Sequence, residues 1–167
     1  DSVRITGICR VRDDFHSRKS ALNKTYSYFV SLSDKPDVFF RRFVYTPCMP
    51  PLNIKPSMCS SPDIEFIKKC SHIFIGKHDF SAFTDNKDEK SKVRTIYEIK
   101  IVKKRTRLEF EFYGTGFLYH MVRILTGTLL EVGCAEKSIE DIKMALEQKE
   151  RELTGFLAPA RGLFLEK

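Results

Sequence analysis

Residues 117–132 read FLYHMVRILTGTLLEV and form the most apolar stretch of the chain. A strand usually runs roughly 5–6 residues. This stretch is longer and apolar nearly all round, so it reads as a buried helix. Gly133 is its natural C-terminal stop. Before it, residues 93–102 and 107–113 alternate apolar and polar, on either side of Lys103-Lys104-Arg105-Thr106. That alternation has the period of half-buried strands, and the pair reads as a hairpin with a basic tip. After it, Ser138 with Asp141 makes a capping-box-like start for a helix over 138–149.

Further out, residues 2–12 (SVRITGICRVR) and 24–32 (KTYSYFVSL) also alternate, and 38–45 (VFFRRFVY) is strand-like. Residues 46–62 are rich in proline and serine with little periodicity, and read as a loop. Ser61-Pro62-Asp63 then opens a helix, with a capping serine, proline at the first helical position and an acid in the first turn. Ile64, Ile67, Ile73 and Phe74 give it an inward face, and Gly76 ends it. Residues 84–92 are a charged loop, and 163–166 a final strand. Antiparallel strands with helices inserted late make an α+β fold: a mainly antiparallel sheet with helices packed on one face. At 167 residues the chain suits one domain.

Lysine plus arginine is 29 against 22 acidic residues, a net charge of +7. The excess is concentrated: residues 1–130 hold 23 basic and 14 acidic side chains, and 131–167 hold 6 and 8. A polyanion, with nucleic acid the obvious candidate, is the expected partner; a basic protein without one is the alternative. No stretch approaches the roughly 18 uninterrupted apolar residues of a membrane span. No apolar secretory region opens the chain, whose first residues look like the middle of a protein. The five cysteines form no CxxC pair and match no zinc template, so no metal is expected and the thiols read as reduced.

Three places hold candidate chemistry. Arg123 lies inside the apolar helix, where a charge is costly unless paired. Either it snorkels to water from the helix edge, or it meets a carboxylate or phosphate. Tyr119 and His120 precede it, and Tyr119 shares its face at helical spacing. The second place is Asp14-Phe15-His16-Ser17-Arg18-Lys19 followed by Lys24-Thr25-Tyr26-Ser27-Tyr28. Cations interleaved with rings suit RNA phosphates and bases, while a sheet with an aromatic core face is the plainer reading. Lys24, Tyr26 and Tyr28 project on one face of that strand. The third is His78-Asp79-Phe80-Ser81-Ala82-Phe83, readable as a turn with two phenylalanines packed inward. There is no glycine-rich phosphate loop, GxSxG elbow or HExxH.

These residues together resemble the C-terminal half of the TruA family of tRNA pseudouridine synthases. Asp14-Phe15-His16-Ser17-Arg18 through Lys24-Thr25-Tyr26-Ser27-Tyr28 is similar to its DDFHAR…RxYxY block. His78-Asp79-Phe80-Ser81-Ala82-Phe83 with Arg94-Thr95-Ile96 resembles its (H/N)DFxxF…RT block. Gly116-Phe117-Leu118-Tyr119-His120-Met121-Val122-Arg123 with Gly127 and Glu131-Val132-Gly133 is similar to FLxHMVRxxxGxLxxVG. Ala158-Pro159-Ala160-Arg161-Gly162-Leu163 fits the APAxGLxL ending.

The resemblance implies cofactor-free isomerisation of uridine in the tRNA anticodon stem-loop by an aspartate in an RTDxGV motif. That motif is missing here, and Asp85 in Phe83-Thr84-Asp85-Asn86 cannot replace it. The chain is therefore expected to correspond to the part after the nucleophile and to be inactive alone. A non-catalytic RNA-binding module on the same scaffold is the alternative. By resemblance Tyr26 packs against the target base and Arg123 partners the catalytic aspartate. His16, Arg18, Lys19, Lys24, Tyr119 and His120 would contact RNA, with His78 and Phe80 shaping the pocket wall. With its carboxylate partner absent, Arg123 is expected to add no stability to this chain. A homodimer and a cytoplasmic or organellar location are further expectations of the resemblance.

Overall fold

Alternating side chains build the centre of the sheet. The structure, a computed structural model, describes residues 3–17, 20–33, 35, 38–47, 61–86 and 91–167. Strands β3 (Val93–Lys104) and β4 (Arg107–Gly114) pair antiparallel around the Arg105-Thr106 turn. Leu108, Phe110 and Phe112 of β4 are fully buried on one face. Opposite them on β1 (Lys24–Ser31) stand Val30, Tyr28 and Tyr26. A slip of one residue would turn this apolar row to solvent, so the pattern itself sets the register. β2 (Gly76–Asp79) and β5 (Leu163–Leu165) complete a five-stranded antiparallel sheet in the order β2-β3-β4-β1-β5.

Three helices pack on the apolar face: α1 (Ile64–Ser71), α2 (Met121–Gly133) and α3 (Ile139–Gln148). α2 buries Ile124, Leu125, Leu129 and Leu130 in the same core as Phe74, Phe83 and Phe110. The Ser138–Asp141 capping box at the start of α3 is formed as its sequence indicates. No helix among the described residues is long and apolar enough to cross a membrane, and no cluster there could hold a metal ion.

Several expectations need correction. Residues 3–12 form no strand, and Ile8 is 91% exposed. Alternation makes a strand only where an edge accepts it, and this segment meets none among the described residues. Residues 38–43 are turns, with only Tyr45 bridged in parallel to Val30. The first helix is capped by Asp63, whose side chain accepts from the Phe66 amide at 2.9 Å, so Ser61 and Pro62 lie ahead of it. That helix ends at Ser71 and a 3-10 turn over His72–Phe74 follows, so Gly76 does not end the helix but begins β2. α2 starts at Met121, leaving Phe117 to His120 outside it. Cys9 and Cys70 are free, but Cys134 is disulfide-bonded, to a partner outside the described residues. Cysteine spacing along the chain does not report which thiols the fold oxidises. Most of the proline-rich loop also lies outside the described residues.

The tightest helix contact is a backbone one. A Cβ at Gly127 of α2 would overlap the Phe156 carbonyl group. Gly127→Ala should therefore cost roughly 3 kcal/mol in urea unfolding, because backbone, not a flexible side chain, must give way. Gly7→Ala, with nothing within 4 Å of the new methyl, should leave the midpoint unchanged.

Candidate active site

The turn between β4 and α2 places the site. His120, just before α2, has φ +62°, a left-handed backbone that a non-glycine residue adopts at a cost. Its side chain is held in place: His120 Nδ1 donates to Asp85 Oδ2 at 2.6 Å, and Arg151 Nε donates to Asp85 Oδ1 at 3.2 Å. Thr84 Oγ1 donates to the Tyr119 carbonyl at 2.9 Å. The Tyr119 ring stacks on the His120 ring, centroids 3.7 Å apart. Burial alone would push the Asp85 carboxyl up. The hydrogen bonds and charges of His120 and Arg151 outweigh it and hold Asp85 below the usual carboxylate range.

Beyond this turn opens a cleft of about 650 Å³. Tyr26 of β1, Phe117, Tyr119, His120 and Arg123 all line it. Tyr26 meets Phe117 edge to face at 5.3 Å. Tyr119 is therefore no i,i+4 neighbour of Arg123 on one helix, yet the turn brings both to one cavity. Arg123 Nε donates to the Ala158 carbonyl at 2.5 Å, and the Ala158 amide returns a bond to the Arg123 carbonyl at 3.3 Å. Its two terminal amino groups make no hydrogen bond or ion pair among the described residues. Lys92 and Arg94 add positive charge, and among the described residues no aspartate or glutamate lines the cleft. Next to Tyr26 on the sheet, Tyr28 is a structural residue. Its hydroxyl donates to the Pro159 carbonyl at 2.6 Å, and burial pushes its pKa up.

The remaining sequence candidates fall elsewhere. Lys24 opens β1 on the same face as Tyr26, partly exposed. His16 lies in an exposed turn and Arg18 and Lys19 outside the described residues. Phe80 is 0% exposed, packed on Phe83 at 6.0 Å, so it is core and not a wall of the cleft. His78 Nε2 meets the Ile75 carbonyl at 3.1 Å and is likewise not in the cleft. The turn reading of 78–83 holds only after Asp79: His78 and Asp79 belong to β2, and a tight helical turn over Ser81–Phe83 follows, with Phe80 and Phe83 buried and Asp79 accepting from the Ser81 amide at 3.0 Å. Phe117, Lys92 and Arg94 are cleft residues that the sequence did not single out as such. The RT pair containing Arg94 was the one available signal.

The bond to Ala158 overturns the expectation that Arg123 adds nothing to this chain. Arg123→Ala should lower the stability of the chain by about 1–2 kcal/mol in thermal melts, the worth of a hydrogen bond from a charged donor. Asp85→Asn should cost about 1 kcal/mol at neutral pH. A carboxyl with a depressed folded pKa contributes stability above its unfolded value, roughly 3.9, and loses it as pH falls through the folded one. The gap in melting temperature between wild type and Asp85→Asn should therefore close as pH drops below about 4.

Comparison with known proteins identifies the family. The model of a tRNA pseudouridine synthase family matches residues 71–167, which include β2 to β5 and Arg123. "tRNA pseudouridine synthase A" of Clostridium kluyveri is 43% identical over 168 residues, covering 100% of this chain and 64% of its own length. "tRNA pseudouridine synthase A 1" of Bacillus cereus strain ATCC 10987 is 40% identical over 166 residues, covering 99% and 63%. "tRNA pseudouridine synthase A" of Staphylococcus carnosus is 36% identical over 168 residues, covering 100% and 59%. The chain thus spans somewhat under two thirds of the length of these relatives, with Tyr26 inside the shared span. With the ordered motif blocks and the fold, these matches show that the chain belongs to the tRNA pseudouridine synthase family.

Proposed function

We propose that the protein isomerises uridine to pseudouridine in the anticodon stem-loop of tRNA, and that this chain supplies one wall of the active site. The observation that carries the reading is Arg123. It is held by its Nε to Ala158, while the rest of the guanidinium faces a cleft in which no carboxylate of the described residues takes part. That arrangement suits a carboxylate brought by another part of the protein. A guanidinium binds a carboxylate through two parallel hydrogen bonds and keeps it ionised.

The reaction moves the base's attachment to the ribose from nitrogen to carbon. The C1′–N1 bond breaks, a C1′–C5 bond forms, C5 loses a proton and N1 gains one. Substrate and product are isomers, so no oxidant, reductant or cofactor is required. The base must first leave its stack, and an aromatic ring replaces the stacking it gives up. Tyr26, braced edge-on by Phe117, serves that role. Tyr119 and His120 contact the nucleotides at the mouth, and Lys24 the backbone phosphates. Substrate location puts the protein where tRNA matures, in the cytoplasm or an organelle.

In the full-length protein, Arg123→Ala should lower uridine conversion by at least ~100-fold, the scale of losing one charge-stabilising donor. Binding of tRNA should stay largely intact, and Arg123→Lys should restore activity only in part. The 167-residue chain alone should convert no uridine in an unmodified tRNA transcript scored by chemical mapping. Its tRNA binding should weaken steeply with salt as phosphate contacts release counterions. A full-length protein that binds tRNA but never forms pseudouridine would favour the non-catalytic RNA-binding module.

A further inference from the structure

His120 is the residue from which α2 starts, yet its side chain caps none of the helix amides. A residue at that place ordinarily turns an oxygen back on the first turn. The His120 ring is spent on Asp85 instead, with Nδ1 donating to Oδ2 at 2.6 Å. It does so from a left-handed backbone, a strain that persists only where the surroundings over-determine it. The other oxygen of Asp85 accepts from Arg151 Nε at 3.2 Å. One carboxylate thus joins partners 35 and 66 positions away along the chain.

Both arms end at the cleft, while Asp85 itself does not reach it. His120 lines the cleft, and the Tyr119 ring lies on the His120 ring with 26° between their planes. On the other arm, Arg151 Nη1 donates to Thr154 Oγ1 at 2.5 Å and to the Gly155 carbonyl at 2.9 Å. That fixes the start of the segment whose Ala158 holds Arg123. Neither Asp85 nor Arg151 is a lining residue.

We propose that Asp85 is a positioning residue for uridine isomerisation, fixing the rim formed by Tyr119 and His120 relative to Arg123. The inference deepens the function proposed above and rests on it. A tie serving stability alone is met by an ordinary cap on α2, without a strained backbone and without a ring turned away from the helix. The effect falls on the chemical step and not on binding. Affinity for RNA is set mainly by phosphate contacts, and a carboxylate offers phosphate none. Removing its charge leaves tRNA held as tightly or more tightly, while the groups around the base lose their spacing.

The test uses the full-length protein with Asp85→Asn, His120→Ala and His120→Asn. Each is read as single-turnover conversion of uridine at saturating enzyme and as affinity for unmodified tRNA, well below the melting temperature of every variant. Asp85→Asn has one acceptor oxygen in place of two, so it holds one of the two donors and not both. Its conversion should fall at least ~10-fold, since an ångström of misplacement can cost about 100-fold. Its tRNA affinity should equal that of wild type or exceed it. His120→Ala should slow conversion comparably. His120→Asn should run clearly faster than His120→Ala, because asparagine tolerates the left-handed backbone and its amide can donate to Asp85. In Asp85→Asn/His120→Ala the two losses should not multiply, as they cut one chain of bonds. Unchanged conversion in Asp85→Asn, with only its melting temperature lowered, would reduce Asp85 to a structural tie and overturn the proposal. A rate lost in step with tRNA affinity would overturn it too, as would losses that multiply or a His120→Asn no faster than His120→Ala. Wild type that forms no pseudouridine sinks the proposed function, whereas wild type that converts beside an equally fast Asp85→Asn sinks this inference alone.

Discussion

The site depends on how residues 154–160 are clamped to α2. Gly127 has no side chain, so the Phe156 carbonyl can sit against the helix. The Gly155 amide donates to Thr128 Oγ1 at 2.8 Å, and the Phe156 amide to Glu131 at 3.2 Å. One turn earlier, Arg123 and Ala158 exchange two bonds. The same segment then accepts the Tyr28 hydroxyl at Pro159 and runs into β5, which pairs with Tyr26 and Tyr28. Helix, segment and strand are thus locked together, and the lock sets Arg123 beside Tyr26. Arginine spends one nitrogen on its own fold and keeps the others for the cleft. Lysine could not divide its hydrogen bonding in that fixed geometry.

The second constraint lies on the other side of the cleft. Asp85 takes bonds from His120 and Arg151, and Arg151 in turn donates to the Gly155 carbonyl at 2.9 Å. The left-handed turn at His120 is thereby tied to the segment that holds Arg123. The result is a cleft that is cationic, partly aromatic and, among the described residues, free of carboxylates in its lining. Such a cavity favours an anionic guest and an outside carboxylate. This is the physical content of reading the chain as one wall of a larger site.

Much of this was legible from residue order alone. The hairpin, the capped third helix and the final strand follow from two-residue alternation and a capping box, both of which act over a few neighbours. Tyr26 and Arg123 were identified through motif blocks, and the fold brings them to one cavity. What the sequence left unread is non-local. The period of residues 3–12 is that of a strand, yet no edge among the described residues receives it. Phe80 stands inside a motif that resembles a family signature, but its place is set by packing against Phe83. Tyr119 and His120 continue an apolar run, but the left-handed backbone at His120 starts the helix after them, and the His120 side chain pairs with Asp85, 35 positions away. The bond from Arg123 to Ala158, also 35 positions away, is equally invisible to a window of neighbours.

The central claim is that the Tyr26 ring and the Arg123 guanidinium act on one reacting base in one cleft. The most direct measurement is a double-mutant cycle in the full-length protein, with Tyr26→Leu and Arg123→Lys, read as single-turnover conversion of uridine in saturating enzyme. Groups acting in the same step are coupled, and the account predicts an interaction energy above about 1 kcal/mol. Effects that add within about 0.5 kcal/mol, as for distant independent sites, would contradict it.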